Sequence, residues 1–222
     1  LFAAGENSRF HVVQLRRGYD ADGLVTVDPD LVWFTHGWDN QLIDDVGYNL
    51  SIENSPLVIG DTLWFANSGG LVQGWDLSGL VNGVKPHRTF RYWVGDDVDA
   101  TLVPDTEGML YVAVEYERET DRSHELGQVI KLDPSRPDDP LVWALEARSE
   151  APSGVWATPA VHRDLLLEVG RQLGEDRALV EPGLLLEVVA VVLLHAELQR
   201  PRWQLEMEAT AAMVARASVA AK

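Results

Sequence analysis

Ser55-Pro56-Leu57-Val58-Ile59-Gly60-Asp61-Thr62-Leu63-Trp64-Phe65-Ala66 decides the fold, because its pattern returns twice further along the chain. Thr101-Leu102-Val103-Pro104 leads into Gly108-Met109-Leu110-Tyr111-Val112-Ala113, and Thr158-Pro159-Ala160-Val161 leads into His162-Arg163-Asp164-Leu165-Leu166. Each copy opens on a turn residue and Pro, then carries a short aromatic or β-branched run. Such runs, bounded by Gly, Asn, Asp and Pro, read as strands joined by turns. Pro56, Pro104 and Pro159 stand at strand beginnings, where a missing N–H harms the ladder least. Self-similarity at this spacing fixes the architecture before any chemistry is considered.

The closing strand of each unit repeats as well. Gly70-Leu71-Val72-Gln73-Gly74-Trp75-Asp76 aligns with Gly127-Gln128-Val129-Ile130-Lys131-Leu132-Asp133. Phe10-His11-Val12-Val13-Gln14-Leu15-Arg16 reads as the tail of a preceding unit, with Arg16 in place of the Asp. Asn67-Ser68-Gly69-Gly70 supplies the residues a tight hairpin demands. A Trp recurs once per unit, at Trp33, Trp93 and Trp143, and is expected to anchor the packing of one unit on the next. The spacing suits a four-stranded unit of roughly 40–50 residues with loop insertions. One unit cannot bury both of its faces, so neighbours must stack. The expected fold is all-β: an incomplete β-propeller of about three four-stranded blades over residues 1–166.

These motifs resemble the repeat of the pyrroloquinoline-quinone-like, or quinoprotein-like, β-propellers over roughly residues 10–166. The resemblance implies either a cofactor-free repeat scaffold or a quinone- and calcium-dependent dehydrogenase. In the dehydrogenases it implies a basic residue at the quinone, for which Arg88, Arg91 and Lys131 are the candidates, and often an adjacent cysteine pair. This chain has no cysteine, and none of its residues matches the family's catalytic base, so no catalytic residue is assigned. The resemblance also implies an extracytoplasmic setting.

Composition narrows the partners. Lys and Arg number 18 against 35 Asp and Glu, a formal net charge of −17. That field repels phosphate backbones and argues against nucleic acid. The absence of cysteine removes disulfides, thiolate zinc sites and thiol catalysis. The six histidines are scattered singly, without ligand spacing. The most suggestive polar cluster is Gly95-Asp96-Asp97-Val98-Asp99-Ala100-Thr101, where Asp96, Asp97 and Asp99 form a candidate calcium loop, read against a solvated loop with an Asx turn at its base. Asp44-Asp45 and Glu115, Glu117 and Glu119 read as solvent-facing positions on edge strands. Trp38 is a candidate for ligand stacking, which leaves a glycan-binding role open.

Beyond Leu166 the aromatic alternation stops, and residues 167–222 read as a separate tail. Gly183–Gln199 reads as a helix or buried apolar segment and Trp203–Ala221 as a second helix, and a shifted reading frame near residue 166 is the competing explanation. Leu184–Leu194 is interrupted by Glu187 and falls short of the roughly 20 residues a membrane span needs. About three units where a closed propeller has four to eight, with no signal peptide at Leu1, read as a fragment. The function expected is a non-catalytic scaffold that binds a protein, peptide or carbohydrate partner through its loops, without a cofactor. The alternative is a dehydrogenase fragment using pyrroloquinoline quinone with calcium, its catalytic residues elsewhere.

Overall fold

The computed structural model describes residues 1–146, 153–162, 165–172 and 189–194. The strands in chain order are β1 (Phe2–Ala3), β2 (Arg9–Tyr19), β3 (Val25–His36), β4 (Leu57–Ile59), β5 (Thr62–Phe65), β6 (Leu71–Asp76), β7 (His87–Trp93), β8 (Val103–Pro104), β9 (Leu110–Ala113), β10 (Val129–Leu132), β11 (Leu141–Leu145), β12 (Ser153–Gly154), β13 (Ala160–His162), β14 (Leu165–Gln172) and β15 (Val189–Leu194). Two short helices interrupt them, α1 (Asn40–Val46) after β3 and α2 (Asp121–Leu126) after β9. The protein is therefore mostly β, as the sequence implies.

The strands form antiparallel sheets. Sheet I holds β1–β2–β3, sheet II holds β4–β5–β6–β7, and sheet III holds β8–β9–β10–β11, each in simple up-and-down order. A fourth sheet joins β12, β14, β13 and β15. β2 lies in sheet I, β6 in sheet II and β10 in sheet III, and Trp33, Trp93 and Trp143 fall on the last strand of sheets I, II and III. Asp76 ends β6 and Asp133 follows β10, and each closes an Asx turn: the backbone N–H of Ser78 donates to Asp76 at 2.8 Å and that of Ser135 to Asp133 at 2.9 Å.

Glycine is required ahead of two of these strands. Gly70 precedes β6 and Gly127 precedes β10, with φ of 81° and 91°. A Cβ on Gly70 would lie 2.5 Å from the carbonyl oxygen of Asp96, and one on Gly127 2.6 Å from the backbone of Glu146. Both the left-handed backbone and the close approach require glycine there.

Alternation along the strands gives sheets II and III two apolar faces and the base of sheet I one. Phe10 and Val12 of sheet I pack on Leu63 and Phe65 of sheet II, with Trp33 against Trp75. The other face of sheet II, including Trp64, Val72 and Phe90, packs on Leu110, Val112, Ile130 and Leu132 of sheet III. The far face of sheet III, with Tyr111, Ala113 and Val129, meets Val155.

Two expectations change. Val189–Leu194 is a strand paired antiparallel with β14, Leu165 opposite Leu194, where a helix was expected. Its run of Val189, Val191 and Val192 is β-branched and favours extended backbone. β14 itself runs past residue 166 to Gln172, so strand structure crosses the expected boundary. The second expected helix, 203–221, lies outside the described residues.

The joint between sheets I and II rests on Phe10 stacked against Phe65, centroids 4.6 Å apart, both fully buried. Phe65→Ala is expected to cost about 3–5 kcal/mol, read as a lowered midpoint in urea unfolding followed by tryptophan fluorescence.

Candidate functional site

The loop from Val94 to Leu102, between β7 and β8, is held by one buried carboxylate. Asp96 accepts from the backbone N–H groups of Asp97, Glu117, Arg118 and Glu119 at 2.8–3.2 Å and from the Ser123 hydroxyl at 3.1 Å. Successive N–H groups converging on one anion form a nest. Glu119 adopts a φ of 50° to complete it. Thr120 then caps α2, its hydroxyl accepting from the Ser123 N–H. The clamp lays the segment after β9 alongside the Asp96 loop, and the Glu115 N–H donates to the Asp97 carbonyl at 2.9 Å.

Other polar side chains fix the same region. Buried Asn54 donates to the carbonyls of Ala66 and Val98 and accepts from the Ala66 N–H. Arg118 donates to the carbonyls of Ser68 and Asn49. Trp93 donates its indole N–H to Gly69 at 2.8 Å.

This scaffold brings five carboxyl groups together: Glu53, Asp97, Asp99, Glu115 and Glu117. Asp97 pairs with Glu117 and Asp99 with Glu115. Asp97 and Glu115 are only 6 % and 7 % exposed, while Glu53 and Glu117 reach solvent. The group thus grades from exposed Glu53 and Glu117 to buried Asp97 and Glu115, and this graded set is the carboxyl recess. Burial first, then the Glu117 contact and the charges of Asp99, Glu117 and Glu53, push Asp97 up to about 8. Burial and then the neighbouring Asp99 push Glu115 up to about 9. Asp99 is raised as well, chiefly by burial. The Trp156 indole N–H donates to one Glu115 oxygen. The other Glu115 oxygen, and one oxygen each of Asp97 and Asp99, are buried with no donor. Two acids that face each other in low dielectric are stable when they share a proton or receive an outside cation.

The expected calcium loop is therefore divided. Asp96 is spent on backbone N–H groups, and Asp97 and Asp99 face Glu117 and Glu115 instead. Among the described residues no three His, Cys, Asp or Glu side chains meet in a geometry that holds a metal ion. The loop is also buried over most of its length, not solvated. Glu115 likewise departs from its expected place on an edge strand. It continues β9 on the side of Tyr111 and Ala113, the face that turns into the core, and alternation along Tyr111, Ala113 and Glu115 is the signal that could have found it. Glu117 and Glu119 are exposed as expected, though on a loop, and Asp44 and Asp45 are exposed on α1.

Trp38 sits elsewhere. It is half-buried, against Leu42, Leu50 and Leu71, with His36 at 4.6 Å and Tyr48 at 6.2 Å as ring neighbours. The candidate basic residues are each committed to an internal acid. Arg88 and Arg91 both bind Asp39 at 2.8 Å, and Lys131 lies 3.2 Å from Asp105 and over the Tyr111 ring. The Arg91 hydrogen bonds hold the Asp39 carboxyl well below the ordinary carboxylate range. Among the described residues no helix is long and apolar enough to cross a membrane.

Comparison with models of known protein families and with curated proteins finds no match.

The two kinds of carboxyl give stability opposite slopes with pH. Asp97 and Glu115 bind protons in the folded protein well above their unfolded values of 3.8 and 4.5, so their contribution is full below about pH 4 and is lost as pH rises toward 8–9. Asp39, depressed, contributes above its unfolded value of 3.8 and loses that contribution in acid. Thermal unfolding is expected at a higher temperature at pH 5 than at pH 9. Asp97→Asn, neutral throughout, is expected to flatten the alkaline limb, as measured by calorimetric melting across that range.

Proposed function

We propose that this protein is a non-catalytic repeat scaffold of the β-propeller type, with sheets I, II and III as successive blades. We further propose that the carboxyl recess at its sheet ends receives a cationic group from a protein or peptide partner. The blade reading draws support from the face-to-face stacking of up-and-down sheets and from the shared Asx turn, left-handed glycine and last-strand Trp. A rigid stack with variable loops is a platform suited to binding.

The observation that carries the binding reading is the set of buried carboxyl oxygens in the recess that have no hydrogen-bond donor. The charges that act most strongly on Asp97, Asp99 and Glu115 are other carboxylates, and buried oxygens of all three lack donors. A lysine or arginine side chain entering from the Glu53 and Glu117 side supplies the missing donors and displaces the shared protons. The chain's net charge of −17 steers a basic partner toward it.

Short peptides with a central Arg or Lys provide the test, titrated calorimetrically at pH 7 in two buffers of different ionisation enthalpy. Binding is expected to release on the order of one proton per peptide, to weaken with salt, and to fall about tenfold in Asp97→Asn and Glu115→Gln, the scale of one charge-assisted hydrogen bond. Binding without proton release, or affinity unchanged in both variants, rules the recess out as the site.

A further inference from the structure

Arginine in this chain is mostly spent on the chain's own oxygens. Arg16, Arg88, Arg91, Arg122 and Arg136 each meet a carboxylate, and Arg118 donates to backbone carbonyls. Arg9 and Arg17 differ: neither guanidinium meets a carboxylate or a carbonyl among the described residues. Both are exposed, and both lie on one face of the β2–β3 hairpin. Phe10 and Val12 point into the body, so alternation turns Arg9, His11 and Arg17 outward, opposite His36, Phe34 and Val27. No carboxylate of the two strands shares that face. Asp28 and Asp30 lie opposite Arg16 and Gln14 on the other side, and Asp20 and Asp22 lie in the tip turn. Glu6, after β1, borders the face at His11. Between the two arginines the face is apolar, with Phe34, Val27 and Leu31 49–54 % exposed. A chain with 35 acidic residues against 18 basic ones thus keeps four basic side chains around an exposed apolar strip, a surface that marks an interface.

We infer that this face binds an acidic, apolar segment of a protein partner, its carboxylates on Arg9 and Arg17 and its apolar side chains on Phe34, Leu31 and Val27. Charge complementarity selects that occupant. Arg9 and Arg17 gain charge-assisted hydrogen bonds to a carboxylate without giving up an internal ion pair. Eight strand residues separate them, about 26 Å, so one small anion cannot reach both, and an extended segment of about eight residues does. Its apolar side chains cover the strip between. A second copy of the chain brings the same cations and no acid to the face. A nucleic-acid strand brings the anions but meets the full charge of −17 along its length. A bilayer met by the arm tip faces Asp20 and Asp22. The chain's remaining negative charge is screened beyond about 8 Å at physiological ionic strength, so the local cations decide the contact. This inference is independent of the carboxyl recess.

A fluorescein-labelled peptide of about ten alternating Glu and Val residues, titrated with the full chain at physiological ionic strength and read by anisotropy, tests it. Saturable binding is expected, weakened about tenfold or more by Arg9→Glu combined with Arg17→Glu and weakened also by Leu31→Ser. Arg9→Gln with Arg17→Gln replaces the charge-reversed pair should far-UV circular dichroism show that pair misfolded. Arg16→Ala, on the opposite face, and Asp97→Asn, in the recess, are expected to leave the affinity unchanged. Absence of saturable binding, or equal affinity in the folded arginine variants or in Leu31→Ser, overturns the inference. So does a phosphatidylserine vesicle or a single-stranded oligonucleotide that outcompetes the peptide and loses its binding in the same variants. Self-association of the chain that is lost in those variants, read by sedimentation equilibrium, overturns it too. Binding of basic peptides at the recess is measured separately and is untouched by any of these results.

Discussion

Burying a carboxylate costs several kcal/mol unless its lone pairs find donors, and Asp96 shows what a chain must arrange to meet that demand. Four backbone N–H groups and one hydroxyl converge on it at zero exposure. Gly70 lies so close to the Asp96 backbone that a Cβ would meet it at 2.5 Å, and Gly95 lies equally close to the Ser123 N–H. Glu119 takes a left-handed backbone, at about 1–3 kcal/mol, so that its N–H also reaches the anion. The start of β6, the loop after β7, the segment after β9 and the cap of α2 are thus tied to a single atom group. Sheets II and III reach their relative placement through this point as well as through the apolar contact of Trp64 and Phe90 with Leu110 and Ile130.

The recess is a consequence of that clamp. Fixing the segment after β9 against the Asp96 loop puts Glu115 beside Asp99 and Glu117 beside Asp97, whether or not those pairs are favourable on their own. The same type of group has two opposite surroundings within one loop: Asp96 is met by N–H donors, while Asp97, one residue on, faces acids and is pushed up, chiefly by burial. Asp39 makes the third case, satisfied by two guanidinium groups. Environment, not residue type, separates anchor, recess and ion pair.

The strands and turns were legible because they are written in residues with strict backbone demands. Gly70 and Gly127 take positive φ, and Asp76 and Asp133 each close a turn two residues on. The recess was not legible, because its members come from residues 53, 97, 99, 115 and 117 and meet only through tertiary placement. Asp96, Asp97 and Asp99 were read as one loop with one purpose, and adjacency hid that alternate members of it face different partners. Trp38 stood out by its polar neighbours, yet Leu42 and Leu71 claim one side of its ring. The expected helix at Val189 failed because composition rich in Ala, Leu and Val is ambiguous between helix and strand, and pairing with β14 decides it.

Alternation in a strand is usually taken to say which side faces the core, and the β2–β3 arm shows what it says when there is no core. At the base, period-two patterning and burial agree: Phe10, Val12 and Trp33 are inside. After the bulge they part: Arg16 bonds Asp30 on the inward side, while Val27 and Leu31 stand exposed on the outward side. Period two still sorts the residues by face there, but among the described residues neither face is packed, so alternation reports which side a residue is on and burial has to come from a neighbouring sheet.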